Sequence, residues 1–239
     1  MRIATYNIRN TQDQYLKRRE KLQSIIQGLN ADVISLQEVA LPELDYLAGD
    51  YQKFFAPIQL QFPLHPDPEF RIDGNAILVR KGIEVKLHEF VHISVFRNIQ
   101  HIVIGDVHIY NTHLHHVIGD DQVRSHQIDN ILTYLLGQMN ERIFLMGDFN
   151  LTPESQEYKK MTQYFKSSYT LANQKEPEIT FPTGLTGPFM DTDPAGTFDY
   201  IWIRGNNIEV KECTLFGSDK IQEGVYPSDH LGILGVYNI

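Results

Sequence analysis

The chain has 239 residues, of which 42% are hydrophobic and 21% are charged. This composition supplies enough apolar side chains for a large core and excludes a disordered protein. No linker rich in proline, glycine or serine divides the sequence, so we expect a single domain over residues 1–239. Lys and Arg total 21 against 30 Asp and Glu, and the formal charge of −9 disfavours a protein that coats nucleic acid, which needs a basic surface.

Two further features of the sequence concern the cellular setting. The chain has one cysteine, Cys213, which excludes an internal disulfide and is more typical of a core residue than of a nucleophile. The N-terminal residues lack the apolar segment of a signal peptide, and no run approaches the roughly 18 apolar residues of a membrane-spanning helix. We therefore expect a cytoplasmic protein, and we expect it to be a monomer.

Short apolar runs rich in β-branched residues alternate along the chain with segments of helical period, which is the pattern of an α/β domain. Some neighbouring runs are separated only by a two-residue turn such as Gly105-Asp106, so the sheets should contain antiparallel hairpins. Because ten strands are many for one flat sheet, we predict two packed mixed sheets. The predicted strands span residues 3–8, 33–37, 75–80, 85–93, 100–104, 107–113, 143–146, 198–204, 208–215 and 231–237.

Two helices are predicted from apolar side chains that recur every three or four residues, over residues 15–29 and 121–139. A third helix is predicted to begin after Thr152. Pro153 would take its first position, where no backbone N–H donor is needed, and Glu154 would lie near the positive end of the helix dipole.

Polar side chains recur at the ends of six predicted strands. Any one of them has a simple structural explanation, because Asp and Asn after a strand commonly form turns and caps. Together they indicate a functional site, since proteins usually place functional groups on loops at one edge of a rigid sheet. These residues are Asn7, Glu38, His113, Asp148 with Asn150, Asp199, and Asp229 with His230.

The short motifs around these residues follow one another in a definite order. They are Asn7, Leu36-Gln37-Glu38, Asn111-Thr112-His113-Leu114, Gly147-Asp148-Phe149-Asn150, Phe198-Asp199-Tyr200-Ile201 and Ser228-Asp229-His230. This series resembles the endonuclease/exonuclease/phosphatase superfamily, which includes DNase I-type nucleases, apurinic endonucleases, sphingomyelinases, inositol polyphosphate phosphatases and deadenylases. The resemblance covers nearly the whole chain. It implies a four-layer α/β sandwich in which helices flank two central, mixed and mostly antiparallel β-sheets.

The resemblance also implies a metal-dependent phosphoesterase. It makes Glu38 the principal metal ligand, with Asn7 beside it and Asp229 as a further candidate ligand. Oxygen ligands of this kind suit Mg²⁺ or Mn²⁺. Asp148 would orient and deprotonate the attacking water, and Asn150 would donate a hydrogen bond to the scissile phosphate.

The two histidines of the motifs are implied to act on the phosphoryl group. His230, held by Asp199, and His113 would bind the charge that develops on the phosphoryl oxygens or carry protons, and family members differ in how these tasks are divided. A buried carboxylate beside an imidazole fixes its tautomer and favours its charged form. This is the physical reason to pair Asp199 with His230.

Four further residues are candidates for substrate contact. Asn75 matches a position near the site in the family, although a strand-edge cap is the alternative. Tyr110 precedes the histidine strand as an active-site tyrosine does in the apurinic branch, although ordinary half-buried packing is the alternative. Arg124 and Gln127, one helical turn apart, resemble a pair that follows the histidine strand in many members, and a pair on a helix surface is the alternative. Arg9 resembles the DNase I type, whereas the apurinic branch has an acidic residue there that helps to hold metal. This departure counts against an enzyme for abasic sites.

The sequence therefore predicts a Mg²⁺-dependent (or Mn²⁺-dependent) phosphoesterase that cleaves a phosphodiester or phosphomonoester with water activated by Asp148. Two alternatives stay open, a DNA or RNA endonuclease or exonuclease of the same superfamily and a non-catalytic binding member. Residues 57–73 and 183–196 are the only long loops left for recognition of a polymer. Together with the negative charge, this favours a small or lipid-linked phosphate ester over nucleic acid.

Overall fold

The computed structural model describes residues 1–58, 72–138, 142–182 and 193–239. Within these ranges the chain forms two mixed sheets of six strands each, which confirms the predicted sandwich. The strands are β1 (Arg2–Asn7), β2 (Val33–Ala40), β3 (Gln52–Ile58), β4 (Asp73–Val79), β5 (Leu87–Ser94), β6 (Arg97–Ile104), β7 (Val107–His113), β8 (Arg142–Asp148), β9 (Lys166–Ser167), β10 (Asp199–Arg204), β11 (Glu209–Phe216) and β12 (Gly232–Asn238). The helices are α1 (Tyr15–Gly28), α2 (Leu44–Ala48), α3 (Asp121–Leu136), α4 (Gln156–Met161) and α5 (Ser168–Asn173).

The strand order brings one parallel pair to the middle of each sheet. The first sheet has the order β11-β12-β1-β2-β4-β3, and the second has the order β5-β6-β7-β8-β10-β9. Strands β1 and β2 pair in parallel, as do β7 and β8, whereas the other neighbours are antiparallel. Parallel strands end at the same edge of a sheet, so each pair delivers two carboxyl ends, with their polar residues, to one place.

The core lies in three layers. Side chains such as Ile3 and Phe144 fill the space between the two sheets. Leu22 belongs to the layer between the first sheet and helices α1 and α2, and Ile128 belongs to the layer between the second sheet and α3. The elements therefore stack as helix, sheet, sheet and helix, because each sheet buries one face against its partner and the other under a helix.

A buried polar layer crosses the space between the sheets near these strand ends. Gln37 on β2 donates from Nε2 to Oδ1 of Asn111 on β7 at 2.8 Å. Asn111 in turn donates to the carbonyl oxygens of Leu36 and Ala76 in the first sheet, at 2.9 and 3.1 Å. Because unsatisfied polar groups are costly in a core, these bonds fix how one sheet sits on the other.

The structure corrects several predicted elements. The third helix does not begin after Thr152: α4 begins at Gln156, because Ser155 caps it by accepting a hydrogen bond from the backbone N–H of Tyr158 at 3.1 Å. Edge strand β3 was not predicted, since its half-buried side chains show no clear alternation. Of the predicted loop 57–73, the ends belong to β3 and β4 and residues 59–71 lie outside the described residues, as do residues 183–192 of the other loop.

No helix in the described part of the chain has the length and apolar character needed to cross a membrane. The N-terminal residues instead enter β1 directly, and the amino group of Met1 donates to the carbonyl oxygen of Tyr237 at 2.6 Å. Cys213 lies buried on β11. This burial agrees with the prediction that it is a core residue.

Candidate active site

The ends of the central strands open into a cavity of about 910 Å³. Strands of both sheets contribute residues to its lining, among them β2, β7 and β8, so several of the polar strand ends that the sequence analysis singled out meet at one place. The predicted site residues that line it are Arg9, Glu38, His113, Arg124, Asp148, Asn150 and His230.

Asn7 joins the two sheets at the bottom of this cavity. Its Nδ2 donates to Oε1 of Glu38 and to Oδ2 of Asp148, both at 3.0 Å, while its Oδ1 accepts from the backbone N–H of Arg9 at 3.0 Å. The amide oxygen is thus turned away from the two carboxylates. In this arrangement Asn7 positions Glu38 and Asp148, and its role beside the metal stays a prediction.

Asp148 lies between two imidazoles. Its Oδ2 is 3.6 Å from Nε2 of His113 and 3.7 Å from Nε2 of His230. On its far side, His230 donates from Nδ1 to Oδ2 of Asp199 at 2.9 Å, which is the pairing expected from the sequence. A carboxylate, an imidazole, a second carboxylate and a second imidazole therefore follow one another across the floor of the cavity.

Burial sets the protonation of this row. Burial raises the pKa of Asp148, against the lowering effect of His230. Burial also opposes a charged His230, but the carboxylates of Asp199 and Asp148 outweigh it and raise the pKa of His230. Burial, together with the nearby Arg97 cation, holds the pKa of His113 well below its ordinary value. His230 is consequently the cationic imidazole and His113 the neutral one.

Gly147 allows Asp148 to reach this position. Its φ is +140°, and a Cβ atom there would overlap the carbonyl oxygen of Thr112 on the neighbouring strand. Only glycine fits such a close approach of two backbones. After Asp148 the chain turns through Asn150, which has a φ of +50° and donates its backbone N–H to Oδ1 of Asp148 at 2.9 Å.

Arg9 and Asp229 form an ion pair at the side of the site. Nη1 of Arg9 lies 3.2 Å from Oδ2 of Asp229, and its Nε donates to Asp13 at 2.8 Å. The other Asp229 oxygen accepts from the hydroxyl of Ser228 at 3.2 Å. Arg9 lines the cavity but Asp229 does not. The structure therefore gives Asp229 the task of holding Arg9, and its role as a further metal ligand stays a prediction.

The weaker candidates separate into three positions. Asn75 is buried between the sheets, where it donates to Oδ1 of Asn98 at 3.0 Å, and it does not line the cavity. Tyr110 faces α3 on the other side of its sheet, where it is fully buried and donates its hydroxyl to Gln138 at 3.2 Å. The structure thus places Tyr110 in the core, which is the alternative to a contact with substrate. Arg124 lines the cavity and donates to the carbonyl oxygen of Val117 at 2.8 Å.

Arg124 and Gln127 act together on the loop that follows His113. Arg124 donates to the carbonyl oxygens of His115 and Val117, and Gln127 accepts from the backbone N–H of His115 at 2.9 Å. Neither residue belongs to an exposed surface pair, since both are buried. Both side chains form hydrogen bonds with the backbone of this loop, so they shape one wall of the cavity.

Two residues of this wall were missed by the sequence analysis. Arg97 begins β6 and His116 follows the histidine strand, and both line the cavity. Nothing in the local sequence distinguishes Arg97 from a surface residue after a hairpin turn. Only the packing of β6 beside β7 brings its guanidinium to within 3.3 Å of Nδ1 of His116.

The donor atoms present can accommodate a metal ion. Among the described residues, the side chains of Asp148, Asp199 and His230 offer ligand atoms that lie within 4.8 Å of one another, and His230 would have to lose a proton before it could bind an ion there. Oδ1 of Asp199 is buried without a hydrogen-bond partner. Glu38 lines the cavity and, among the residues that the structure describes, has no Lys, Arg or His within ion-pair distance. Carboxylates of this kind fit a hard divalent cation.

Comparison with known proteins agrees with this geometry. The sequence profile of the Endonuclease/Exonuclease/phosphatase family matches residues 4–230. No protein with a curated description matches the chain at a significant level.

Several solved structures share the fold. A humanized D. rerio TDP2 carrying 14 mutations has a TM-score of 0.80 at 21% identity, over 100% of this chain and 99% of that chain. D. rerio TDP2 complexed with single strand DNA product has a TM-score of 0.79 at 20% identity, over 100% and 99%. The catalytic domain of human Nocturnin with bound sulfate has a TM-score of 0.80 at 20% identity, over 100% and 93%.

Proposed function

Since the chain belongs to the Endonuclease/Exonuclease/phosphatase family, we propose that it is a metal-dependent hydrolase of phosphate esters. The observation that carries the proposal is the row of Asp199, His230, Asp148 and His113 on the floor of a cavity that also exposes Glu38. The Asp148 carboxylate lies between a neutral imidazole and a cationic one. The carboxylate can accept a proton, and the cationic imidazole can stabilise negative charge on a phosphoryl oxygen.

The side chains divide the reaction as follows. Asp148, whose pKa burial raises towards neutrality, accepts the proton of the attacking water. The cationic His230, fixed by Asp199, donates a hydrogen bond to a non-bridging phosphoryl oxygen. Asn150, which lines the cavity beside Asp148, donates to the same phosphoryl group.

The neutral His113 can take up, at an unprotonated ring nitrogen, the proton that Asp148 accepts from water, and can then release it as imidazolium to the leaving-group oxygen. Its Nε2 lies 3.6 Å from Asp148, so the two groups lie close enough to share the protons of the reaction. Glu38 would hold Mg²⁺ or Mn²⁺, which when bound polarises the phosphoryl oxygens and so helps to overcome the very slow uncatalysed hydrolysis of phosphate esters.

A metal-depletion experiment tests the proposal. We expect hydrolysis of bis(4-nitrophenyl) phosphate or 4-nitrophenyl phosphate by the purified chain, abolished by EDTA and restored by excess Mg²⁺ or Mn²⁺. Zn²⁺ and Ca²⁺ serve as comparison ions of other coordination preference. Full activity in metal-free buffer would contradict the metal-dependent mechanism.

Absence of hydrolysis with every ion would favour the alternative of a non-catalytic binding member. The cavity contains Glu38, Asp148 and His230. A non-catalytic binding member would not need these three side chains together, so their presence argues against that alternative.

A nuclease is the second candidate function. The observation that favours it is the fold shared with D. rerio TDP2, which was solved with a single strand DNA product. The formal charge of −9 weighs against it, because binding to a polyanion draws most of its affinity from neutralised phosphates. A panel of plasmid, single-stranded DNA, RNA and simple phosphodiesters, each at the same Mg²⁺ concentration, separates the two candidates.

A further inference from the structure

Arg97 is a buried cation in the wall of the cavity. Its side chain is 5% exposed, and Nη1 donates to the carbonyl oxygen of Phe96 at 3.2 Å. Nη2 lies 3.3 Å from Nδ1 of His116, and the Nε–H donor is buried without any hydrogen-bond partner. Among the residues that the structure describes, no carboxylate lies within ion-pair distance of this guanidinium.

Another buried arginine of the same chain shows how unusual this is. Arg18 is fully buried, and its guanidinium donates to six backbone carbonyl oxygens, at distances from 2.6 to 3.2 Å. A folded chain normally satisfies a buried guanidinium in this way or with a carboxylate. Arg97 has neither arrangement, although Glu38 and Asp148 act on it from a distance. The fold thus holds a cation whose counter-ion is not part of the protein.

The contact with His116 adds a second donor. A guanidinium has only donors, so Nδ1 of His116 must accept the hydrogen bond from Arg97. Burial and the Arg97 cation lower the pKa of His116, which keeps the imidazole neutral at physiological pH. In a neutral imidazole that accepts at Nδ1, the proton sits on Nε2. His116 is exposed at the cavity, so this N–H is available to a ligand.

We propose that Arg97 and His116 form an anion-binding subsite of the cavity, and that its ligand is a phosphate group of the substrate. The inference rests on the proposed function for the identity of the substrate, but the subsite stands on its own geometry. Arg97 and His116 line the same cavity as His113, whose pKa the Arg97 cation helps to lower. A phosphate oxygen bound there would receive charge-assisted hydrogen bonds and neutralise Arg97.

The arrangement complements Glu38. Among the described residues of the cavity, Glu38 is a carboxylate with no cation within ion-pair distance and Arg97 is a guanidinium with no carboxylate within that distance. A divalent cation together with a phosphate ester supplies both missing charges. A neutral substrate would supply neither.

The first experiment measures phosphate binding to the protein after treatment with EDTA, by isothermal titration calorimetry with inorganic phosphate and with sulfate. We expect saturable binding of phosphate to the wild-type chain, and a dissociation constant at least about tenfold weaker in Arg97→Met and in His116→Ala. Arg142→Gln is the matched control, since it removes an arginine that pairs with Asp106 away from the cavity. Equal binding by wild type and Arg97→Met would overturn the proposal.

A thermal melt in phosphate-free buffer distinguishes a binding role from a structural one. Replacing an uncompensated buried cation with an apolar side chain of similar length should leave the Tm unchanged or raise it. Phosphate should then raise the Tm of wild type and not that of Arg97→Met. A strongly lowered Tm of Arg97→Met in phosphate-free buffer would show that Arg97 supports the fold and would overturn the proposal.

Kinetics separate this inference from the proposed function. If the chain hydrolyses phosphate esters, Arg97→Met should raise KM for bis(4-nitrophenyl) phosphate by at least about tenfold while leaving the metal requirement unchanged. Hydrolysis with an unchanged KM would overturn the subsite and leave the function standing. Phosphate binding that depends on Arg97, in a chain without hydrolytic activity, would support the subsite and contradict the function.

Discussion

Asp148 is held in place by hydrogen bonds from Asn7 and from the backbone of Asn150, so its carboxylate has one fixed orientation between the two imidazoles. Asp148→Asn keeps the shape of the side chain but removes its basicity. We expect kcat to fall by about 10² to 10⁴, the range for lost general base catalysis, with little change in Tm. His230→Ala should lower kcat within the same range.

The measurement for these variants is steady-state kinetics on a chromogenic phosphate ester, together with a thermal melt. Asp106→Asn is the control, because it removes an exposed turn carboxylate that pairs with Arg142. An Asp148→Asn protein that folds and turns over at the wild-type rate would remove Asp148 from the role of activating water.

Cys213 gives a prediction about reactivity. Burial raises the pKa of its thiol to about 12, so the folded chain keeps it protonated at mildly alkaline pH. We expect no reaction with a disulfide reagent such as DTNB in the native state and one reacting thiol in concentrated guanidinium chloride. The raised pKa also makes stability depend on pH. Above the ordinary thiol pKa the unfolded chain loses a proton that the folded chain keeps, so the free energy of unfolding falls as pH rises. Rapid native-state labelling would contradict this placement.

Residue identity drew attention to the polar strand ends but not to their neighbours. His113, Asp148 and His230 stood out as part of a set, because polar side chains recur beside several apolar strands, although any one of them could have been a turn or a cap. Tyr110 and Arg97 illustrate the limit. Tyr110 lies on the face of β7 opposite His113, and its burial in the core on that face is seen only in the folded structure. Arg97 gains its role only from the pairing of β6 with β7.

At the scale of the elements, Gly147 near the end of strand β8 gives a testable prediction. Gly147 has a φ of +140° and its Cα faces the backbone of Thr112, so Gly147→Ala must push β8 away from β7. Because Asp148 is the next residue, the displacement moves the carboxylate out of its place between His113 and His230. We expect loss of most activity and a fall in the free energy of unfolding of at least about 2 kcal/mol.

Gly105→Ala provides the comparison for that variant. Gly105 also has a positive φ, of +64°, but nothing lies within 4 Å of a Cβ atom placed there. It should therefore lose only about 1 kcal/mol of stability, from backbone strain, and keep its activity. Denaturant unfolding and kinetics on both variants check this pair. Equal effects at the two glycines would show that the close approach to Thr112 is unimportant.

The predicted elements differ from the observed ones where two residues each favour a helix start, or where a strand lacks an alternating pattern. Pro153 predicted an early helix start, but Ser155 is the better cap and α4 begins after it. Strand β3 lies at a sheet edge with side chains half exposed on both faces, so its sequence lacks the alternation on which strand prediction depends. Central strands such as β8, buried along nearly their whole length, were recognised because burial imposes a continuous apolar run.

At the scale of the whole molecule, the two parallel pairs explain why short motifs far apart in sequence meet in one cavity. β1 with β2 and β7 with β8 each end at one edge, and the polar layer from Gln37 to Asn111 keeps those edges together. The sequence could not predict this meeting from spacing, because the contacts join residues on opposite sheets. It was suggested by the recurrence of polar residues at strand ends and implied by the resemblance to a known family.

The charge of the whole chain leads to the last prediction, which concerns substrate class. The formal charge is −9, and among the described residues the arginines that line the cavity are Arg9, Arg97 and Arg124. Two of these are already paired, Arg9 with Asp229 and Arg124 with Asp121. Few phosphates can therefore be neutralised at once, and we expect weak binding of duplex DNA with a shallow dependence on salt.

The measurement is the affinity of the Asp148→Asn chain for a short duplex as a function of NaCl concentration at low Mg²⁺. A protein that contacts about six to ten phosphates loses affinity steeply as salt rises, with a slope of log K on log salt near −0.9 for each contact. For this chain we expect a slope shallower than about −5, because among the described residues of the cavity only Arg97 and His230 are cations available to bind a phosphate. A steeper slope with submicromolar affinity would contradict the preference for a small phosphate ester and favour a nuclease, since only a basic surface beyond the cavity could produce it.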